Sequence, residues 1–149
     1  MILLDLPIPP SMNDYWRPGP NRSRTAAEGS RVMYVTSKGK KYRKEVTAEW
    51  IAQRNRRPLS GPLFLRGWIW FERRGSDVDN RIKPLLDALE EAGCFENDRQ
   101  ISAVFFRRMD ATMKPGSVIV HVEPDAGDRV RSIDARASWR EVWAALGGR

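Results

Sequence analysis

Between Pro62 and Glu72 the chain carries Leu63, Phe64, Leu65, Trp68, Ile69, Trp70 and Phe71. Successive side chains of a strand point to opposite faces of a sheet, so a run this apolar needs cover on both faces and is too hydrophobic for an edge. Its aromatic content favours a pleated surface, and a central strand is predicted there. The period then changes. Ile82, Leu85, Leu86 and Leu89 fall at i, i+3, i+4 and i+7, the buried stripe of one helix, which stops at Gly93. Pro84 fits that helix if regular winding begins close to it, because an interior proline removes a hydrogen bond and crowds the preceding turn.

Other segments extend this pairing into an α+β domain with a small mixed β-sheet packed by two main helices. Met1 to Leu6 reads as a first strand, closed by Pro7, Pro9 and Pro10, which cannot donate to a ladder. Pro18, Gly19, Pro20 and Gly29 break the next stretch, so Ser11 to Arg31 reads as a long polar loop before a short strand at Val32 to Thr36. Ser37 is a candidate N-cap for a helix to about Asn55, with Tyr42, Val46, Trp50 and Ile51 at helical spacing. Gln100 to Met109 and Ser117 to Glu123 read as strands joined by the Lys114-Pro115-Gly116 turn, which predicts a hairpin. Residues 1–124 thus form the domain, and 125–149 an extension. Its polar start leads to Trp139, Val142, Trp143 and Leu146, the stripe of a short amphipathic helix that packs on the core or meets a partner.

Composition narrows the function. At 149 residues the chain is about one domain long, and no apolar run approaches the roughly 20 residues that cross a bilayer. Met1 to Leu6 lacks the marks of a secretory leader, so cytoplasmic residence is expected. One cysteine, Cys94, allows neither an intrachain disulfide nor a cysteine-cluster zinc site. The single histidine, His121, alternates with Ile119 and Glu123 on the last predicted strand, where a sheet residue is the expectation. No serine, histidine and acid combination supports nucleophilic catalysis.

Two charged groupings remain. Asp77-Val78-Asp79-Asn80, Lys83 and, past the helix, Asn97-Asp98 gather carboxylates and an amine in a basic chain. A hard cation such as Mg2+ takes oxygen ligands, keeps waters, and is gripped by one or two carboxylates together with substrate phosphates. Asp77 and Asp79, two apart at a strand end, can project to one side while Val78 faces the core. Asp79, Lys83 and Asp87 follow at i, i+4 and i+8, where Lys83 is either part of the site or an ordinary helix ion pair. Asp98 reaches the site by tertiary folding or across a dimer interface. A D-x-D pair also occurs in haloacid-dehalogenase phosphatases and in glycosyltransferases. The former need an apolar strand running straight into the first aspartate, and here Arg73, Arg74, Gly75 and Ser76 intervene.

The second grouping is basic. From Tyr15 to Lys44 there are nine cations, Arg17, Arg22, Arg24, Arg31, Lys38, Lys40, Lys41, Arg43 and Lys44, against Glu28 alone, so this block holds +8 of a net +7 chain. Such a block is the footprint of a phosphate-backbone binder, and Tyr15, Trp16 and Tyr34 are candidates to stack on bases or sugars.

Taken with their spacing, Asp77-Val78-Asp79-Asn80, Lys83, Leu86-Asp87-Ala88-Leu89, Gly93 and Asn97-Asp98-Arg99-Gln100-Ile101 resemble the D-x-D-N-x-x-K-x-x-x-D-A-L…D-D-x-Q-[IV] pattern of the RusA family of Holliday junction resolvases. Pro9-Pro10-Ser11-Met12-Asn13 with Tyr15 and Trp16 resembles that family's P-P-S-x-N segment, and Ser37-Lys38-Gly39-Lys40-Lys41-Tyr42-Arg43 the opening of its first helix. The resemblance covers roughly residues 1–123; the tail has no counterpart, and Asn97 replaces a usual acid. It implies an Mg2+-dependent endonuclease, with Mn2+ able to substitute, that nicks two opposed strands of a four-way DNA junction as a homodimer and leaves 5′-phosphates and 3′-hydroxyls. Carried over by position, Asp77, Asp79 and Asp98 are the metal-binding acids and Lys83 the essential amine. Arg17, Arg22, Arg24, Lys38, Lys40, Lys41, Lys44, Arg73, Arg74 and Asn80 are then the expected DNA contacts, in a bacterial or phage-encoded enzyme. A less selective flap or fork nuclease and a non-catalytic DNA-binding module are the alternatives.

Overall fold

The computed structural model of the chain describes residues 2–23, 25, 27–53, 57–72, 76–109 and 114–125. Their order is β1 (Ile2–Pro7), α1 (Met12–Tyr15), β2 (Trp16–Pro20), β3 (Arg31–Val35), α2 (Ser37–Ala52), β4 (Leu63–Trp70), α3 (Asp79–Glu91), a 3-10 turn (Asp98–Gln100), β5 (Ile101–Met109) and β6 (Ser117–Pro124). This is the expected α+β class. The extension's amphipathic stripe, like Arg24, Arg73 and Arg74, lies outside the described residues.

Four strands make the main sheet in the order β1-β6-β4-β5, so the apolar run is central, as its composition requires. On one face Leu63, Leu65, Ile69 and Phe71 join Val118, Val120, Val122, Ile2, Leu4 and Leu6 under Tyr42, Val46 and Trp50 of α2 and Leu85, Ala88 and Leu89 of α3. Each buried aliphatic side chain contributes about 1.5–3 kcal/mol. On the opposite face Trp68, Trp70 and Ile119 form a second buried cluster, with Leu3 and Met109 packed against it. Both tryptophans are thus enclosed within one chain, and Phe105 and Phe106 are half-buried.

Four sequence expectations need correction. First, the strands at Ile101–Met109 and Ser117–Pro124 are not a hairpin: β4 lies between them, parallel to β5 and antiparallel to β6. The cause is α3. A strand–helix–strand unit returns its second strand parallel to the first, so β5 takes one side of β4 and leaves the other for β6. Second, the loop expected at Ser11 to Arg31 contains α1 and β2, and β2 pairs antiparallel with β3 as a separate two-stranded ribbon. Pro18 and Pro20 lie two apart, so both nitrogens can face the ribbon's open edge, where no ladder bond is lost.

Third, α2 is capped by Thr36 rather than Ser37, its hydroxyl accepting from Gly39 N at 3.1 Å, and it ends at Ala52 with Ile51 exposed. Fourth, β4 ends at Trp70, well before Asp77, and Val78 already has helical angles. Strand alternation therefore does not set the two aspartates. Pro84 sits one turn inside α3, whose entry is closed by Arg81 N donating to Val78 O at 3.0 Å. Gly93, at φ +81°, ends the helix in the left-handed region that favours glycine.

Candidate active site

α3 presents its polar face to the turn that follows it. Asp79 occupies the first helical position, where a negative charge suits the positive helix end. Asp77 precedes it in an exposed loop, Val78 packs against the core, and Asp79 is exposed again. Exposure thus alternates as expected, through helix entry. Asn80, expected to meet DNA, donates from Nδ2 to Asp77 Oδ2 at 3.4 Å.

Lys83 ties the helix to the turn that follows it. Its Nζ lies 2.6 Å from Asp87 Oδ1 one turn along the helix and 2.8 Å from Asp98 Oδ2, fifteen residues away in sequence. Asp98 therefore meets the helix within one chain. The hydrogen bonds to Asp87 first, then Asp98, raise the Lys83 amine above its ordinary range, and Lys83 in return holds the Asp98 carboxyl below the usual carboxylate range. Lys83 is a cation throughout any working pH. It cannot serve as a general base, but it can face a phosphate.

The Asn97-Asp98-Arg99-Gln100 stretch explains itself structurally. Asn97 caps the 3-10 turn, accepting from Arg99 N at 2.9 Å, while Gln100 Oε1 accepts from the Glu96 and Asn97 amides at 2.8 and 3.0 Å. The Gln100 amide group donates to Leu59 O and Gly61 O, anchoring the turn to the chain entering β4. Asp98 is thus presented by a locked turn, and the amide at position 97 is one of the groups that lock it.

Arg81 and Arg108 escaped the sequence reading, and Arg43, read there as one cation of the basic block, has a different part. Arg43 donates to Tyr15 Oη and to Glu91, both at 2.6 Å, which joins the basic helix α2 to α3 beside the acidic face. Arg108 on β5 stacks 4.7 Å from the Phe71 ring and donates to Ser76 O, bracing the residue before Asp77. Arg81 lies over the same ring at 5.9 Å and donates to Pro9 O at 2.6 Å. Arginines over an aromatic followed by a loop offer no periodicity to detect.

The expected DNA-binding side chains spread over the ribbon and α2. Arg17, Arg22, Lys38, Lys40, Lys41 and Lys44 are all exposed. Of the three candidate stacking aromatics, Tyr15 is 0% exposed and belongs to the core, Trp16 is half-buried edge-on against it at 4.6 Å, and Tyr34 is exposed. The lone histidine sits on β6 in register with Leu3 and Arg66. Cys94 is buried, its thiol pushed up to about 12 by burial.

The sequence profile of the Endodeoxyribonuclease RusA family matches residues 15–123, most of the chain and all of the acidic cluster. The chain belongs to the RusA family of endodeoxyribonucleases. It is 35% identical over 106 residues to the crossover junction endodeoxyribonuclease rusA of Enterobacteria phage HK97, an alignment spanning 66% of this chain and 75% of that protein. A RusA-family chain is an enzyme that cuts DNA, and the matched span takes in the ribbon, both main helices and the whole main sheet except β1 and the last residue of β6. Among the described residues no helix is long and apolar enough to cross a membrane.

Among the described residues, too, no three acids, histidines or cysteines are grouped so as to hold a metal alone. The donors nonetheless suit Mg2+. Asp77 and Asp79 are exposed carboxylates at one helix entry, and this ion needs one or two carboxylates when waters and substrate phosphate complete its shell. Asp98 is engaged by Lys83 instead.

Proposed function

We propose that this RusA-family chain is a metal-dependent resolvase that nicks two opposed strands of a four-way DNA junction, acting as a homodimer in the cytoplasm. The observation that carries the reading is the Lys83 bridge at 2.6 and 2.8 Å, which joins the K, D and N-D segments of the family pattern on the helix that the D-x-D-N segment opens. Asp77 and Asp79 would hold Mg2+, or Mn2+ in its place, with Asp98 completing the set as substrate enters. When bound, such an ion activates a water and neutralises charge on the phosphate. Lys83 adds a fixed positive charge beside the phosphate being cut, and Asp87 keeps its amine aimed at the loop of Asp98. The exposed cations of the ribbon and α2 hold the DNA backbone.

Incubation of the protein with Mg2+ and labelled four-way junction, linear duplex and flap DNA tests this directly. Paired symmetric nicks in the junction alone are expected. Equal cutting of flaps would make it a less selective structure-specific nuclease, and binding without cutting a non-catalytic module. The dimer rests on symmetry, since two coordinated cuts need two sites and a twofold junction suits a C2 pair. Sedimentation equilibrium should give about twice the 17.1 kDa chain mass; one chain's mass at all concentrations removes the preformed dimer.

A further inference from the structure

The ribbon β2–β3 meets the start of α2 at a cavity whose lining includes Asp14, Arg17, Tyr34, Thr36, Ser37 and Lys38. We propose that this cavity is a binding site for one unpaired nucleotide, its base on the Tyr34 ring and its phosphate on Arg17 and Lys38, so that the protein reads the opened strand at a branch point. The inference rests on the DNA-cutting reading above and adds what that reading lacks, a means of telling branched from linear DNA.

Five observations converge on it. Tyr34 is the exposed aromatic of the basic block, at 43%, whereas Tyr15 is buried. It is also fixed: its hydroxyl donates to Pro20 O, and Gly19 lies so close that an added Cβ would stand 2.7 Å from the ring. A ring held this way loses little entropy when a base stacks on it. Arg17 is the cross-strand partner of Tyr34, so the guanidinium and the ring rise from the same face of the ribbon. Lys38 is held to Asp14 at 3.4 Å with the lysine side chain 70% and the aspartate 44% exposed, a pairing weak enough for a phosphate to displace. Pro18 and Pro20 stiffen the strand that carries Arg17. Aromatic face, two cations and a rigid frame match a single nucleotide, and paired bases in a linear duplex have no free face to offer.

The test uses the full chain without divalent metal, so that nothing is cut, and measures binding by fluorescence anisotropy to short oligothymidylate, linear duplex and four-way junction. A junction with 2-aminopurine at the branch reports stacking directly. Tyr34→Ala should weaken oligothymidylate and junction binding about tenfold, restore the 2-aminopurine signal and leave duplex binding unchanged. Tyr34→Phe keeps the ring and should keep affinity. Arg17→Gln and Lys38→Gln should each flatten the salt slope on the oligonucleotide by about 0.7. Wild-type affinity in Tyr34→Ala, equal losses on linear duplex, or no wild-type binding to oligothymidylate overturns the site. The two readings fail separately: a wild type that binds oligothymidylate through Tyr34 but cuts no branched DNA sinks the nuclease, and normal cutting with an indifferent Tyr34→Ala sinks the cavity.

Discussion

On α3 and the turn after it, Lys83, Asp87 and Asp98 are tied to one another, whereas the lysines of α2 stand in solvent with loose partners. Lys83 reaches its two carboxylates at 2.6 and 2.8 Å, and the second of them rides on a turn locked by Asn97 and Gln100. Lys38 and Lys41 meet Asp14 and Glu45 at 3.4 and 3.7 Å, with both lysine side chains more than two-thirds exposed. Under the proposed function, the contrast follows from what each region would do. Chemistry at a phosphate depends on sub-ångström placement, so its charges are braced by helix, turn and each other. Holding a polyanion depends on the number of cations and the counterions they displace, and tolerates mobile side chains. The regions meet at Arg43, which lies on the basic helix yet is pinned by Tyr15 and Glu91 as firmly as anything in the acidic face.

The largest effects should come from the braced region. Asp77→Asn and Asp79→Asn should each lower the cleavage rate by about 10³-fold or more, with junction binding kept or strengthened because a charge repelling phosphate is gone. Asp98→Asn should behave alike. Single-turnover cleavage alongside a gel-shift titration separates the two quantities, and full activity in any variant removes that residue from the site. Lys83→Ala should lose about 10²-fold in rate. A stability change of a few tenths of a kcal/mol with unchanged rate would make Lys83 an ordinary helix ion pair.

The loose region should respond differently. Replacing Lys40, Lys41 and Lys44 together by Gln should weaken junction binding and flatten the slope of log affinity against log salt by about 0.9 for each duplex phosphate that is no longer neutralised. Rate at saturating DNA should hold. An unchanged slope would mean that this face of α2 meets solvent and that the phosphates are met elsewhere. A fall in saturated rate would erase the division between the regions.

The same contrast governs what the sequence disclosed. The apolar run at 63–71, the 3-4-7 stripe of α3 and the bunched charges were legible because each is a local pattern, written in period or in composition. The ribbon was hidden by Pro18 and Pro20, residues that break a ladder only where their nitrogens face a partner. The strand order was hidden because a turn at Lys114-Pro115-Gly116 suggests neighbours, while the place beside β4 had already been filled through the α3 crossover. Lys83 and Asp98 were both visible as candidates, but not their contact. Nor were the arginines over Phe71, since who covers an aromatic is decided by strands that pair far apart in sequence.

The smallest expected effect probes the Lys83–Asp98 bridge itself, through stability and pH. Asp98 has a folded-state pKa below its ordinary value, so its contribution is present above about pH 4 and is lost as pH falls through the depressed value. Lys83 has a raised one, so its contribution is complete below about pH 10 and fades only as pH climbs past the raised value. The bridge is therefore fully formed from about pH 5 to pH 9. Both side chains are partly in solvent, which limits the pair to roughly 1 kcal/mol or less. Thermal melts of Asp98→Asn against wild type should differ by a few degrees at most at pH 7, about 4 °C or less, and the gap should close as pH falls below about 4 and the carboxylate takes up its proton. A gap that persists in acid would show that the Asp98 carboxylate gains nothing from Lys83 in the folded protein, and the braced character of the acidic region would then rest on the Asn97–Gln100 turn alone.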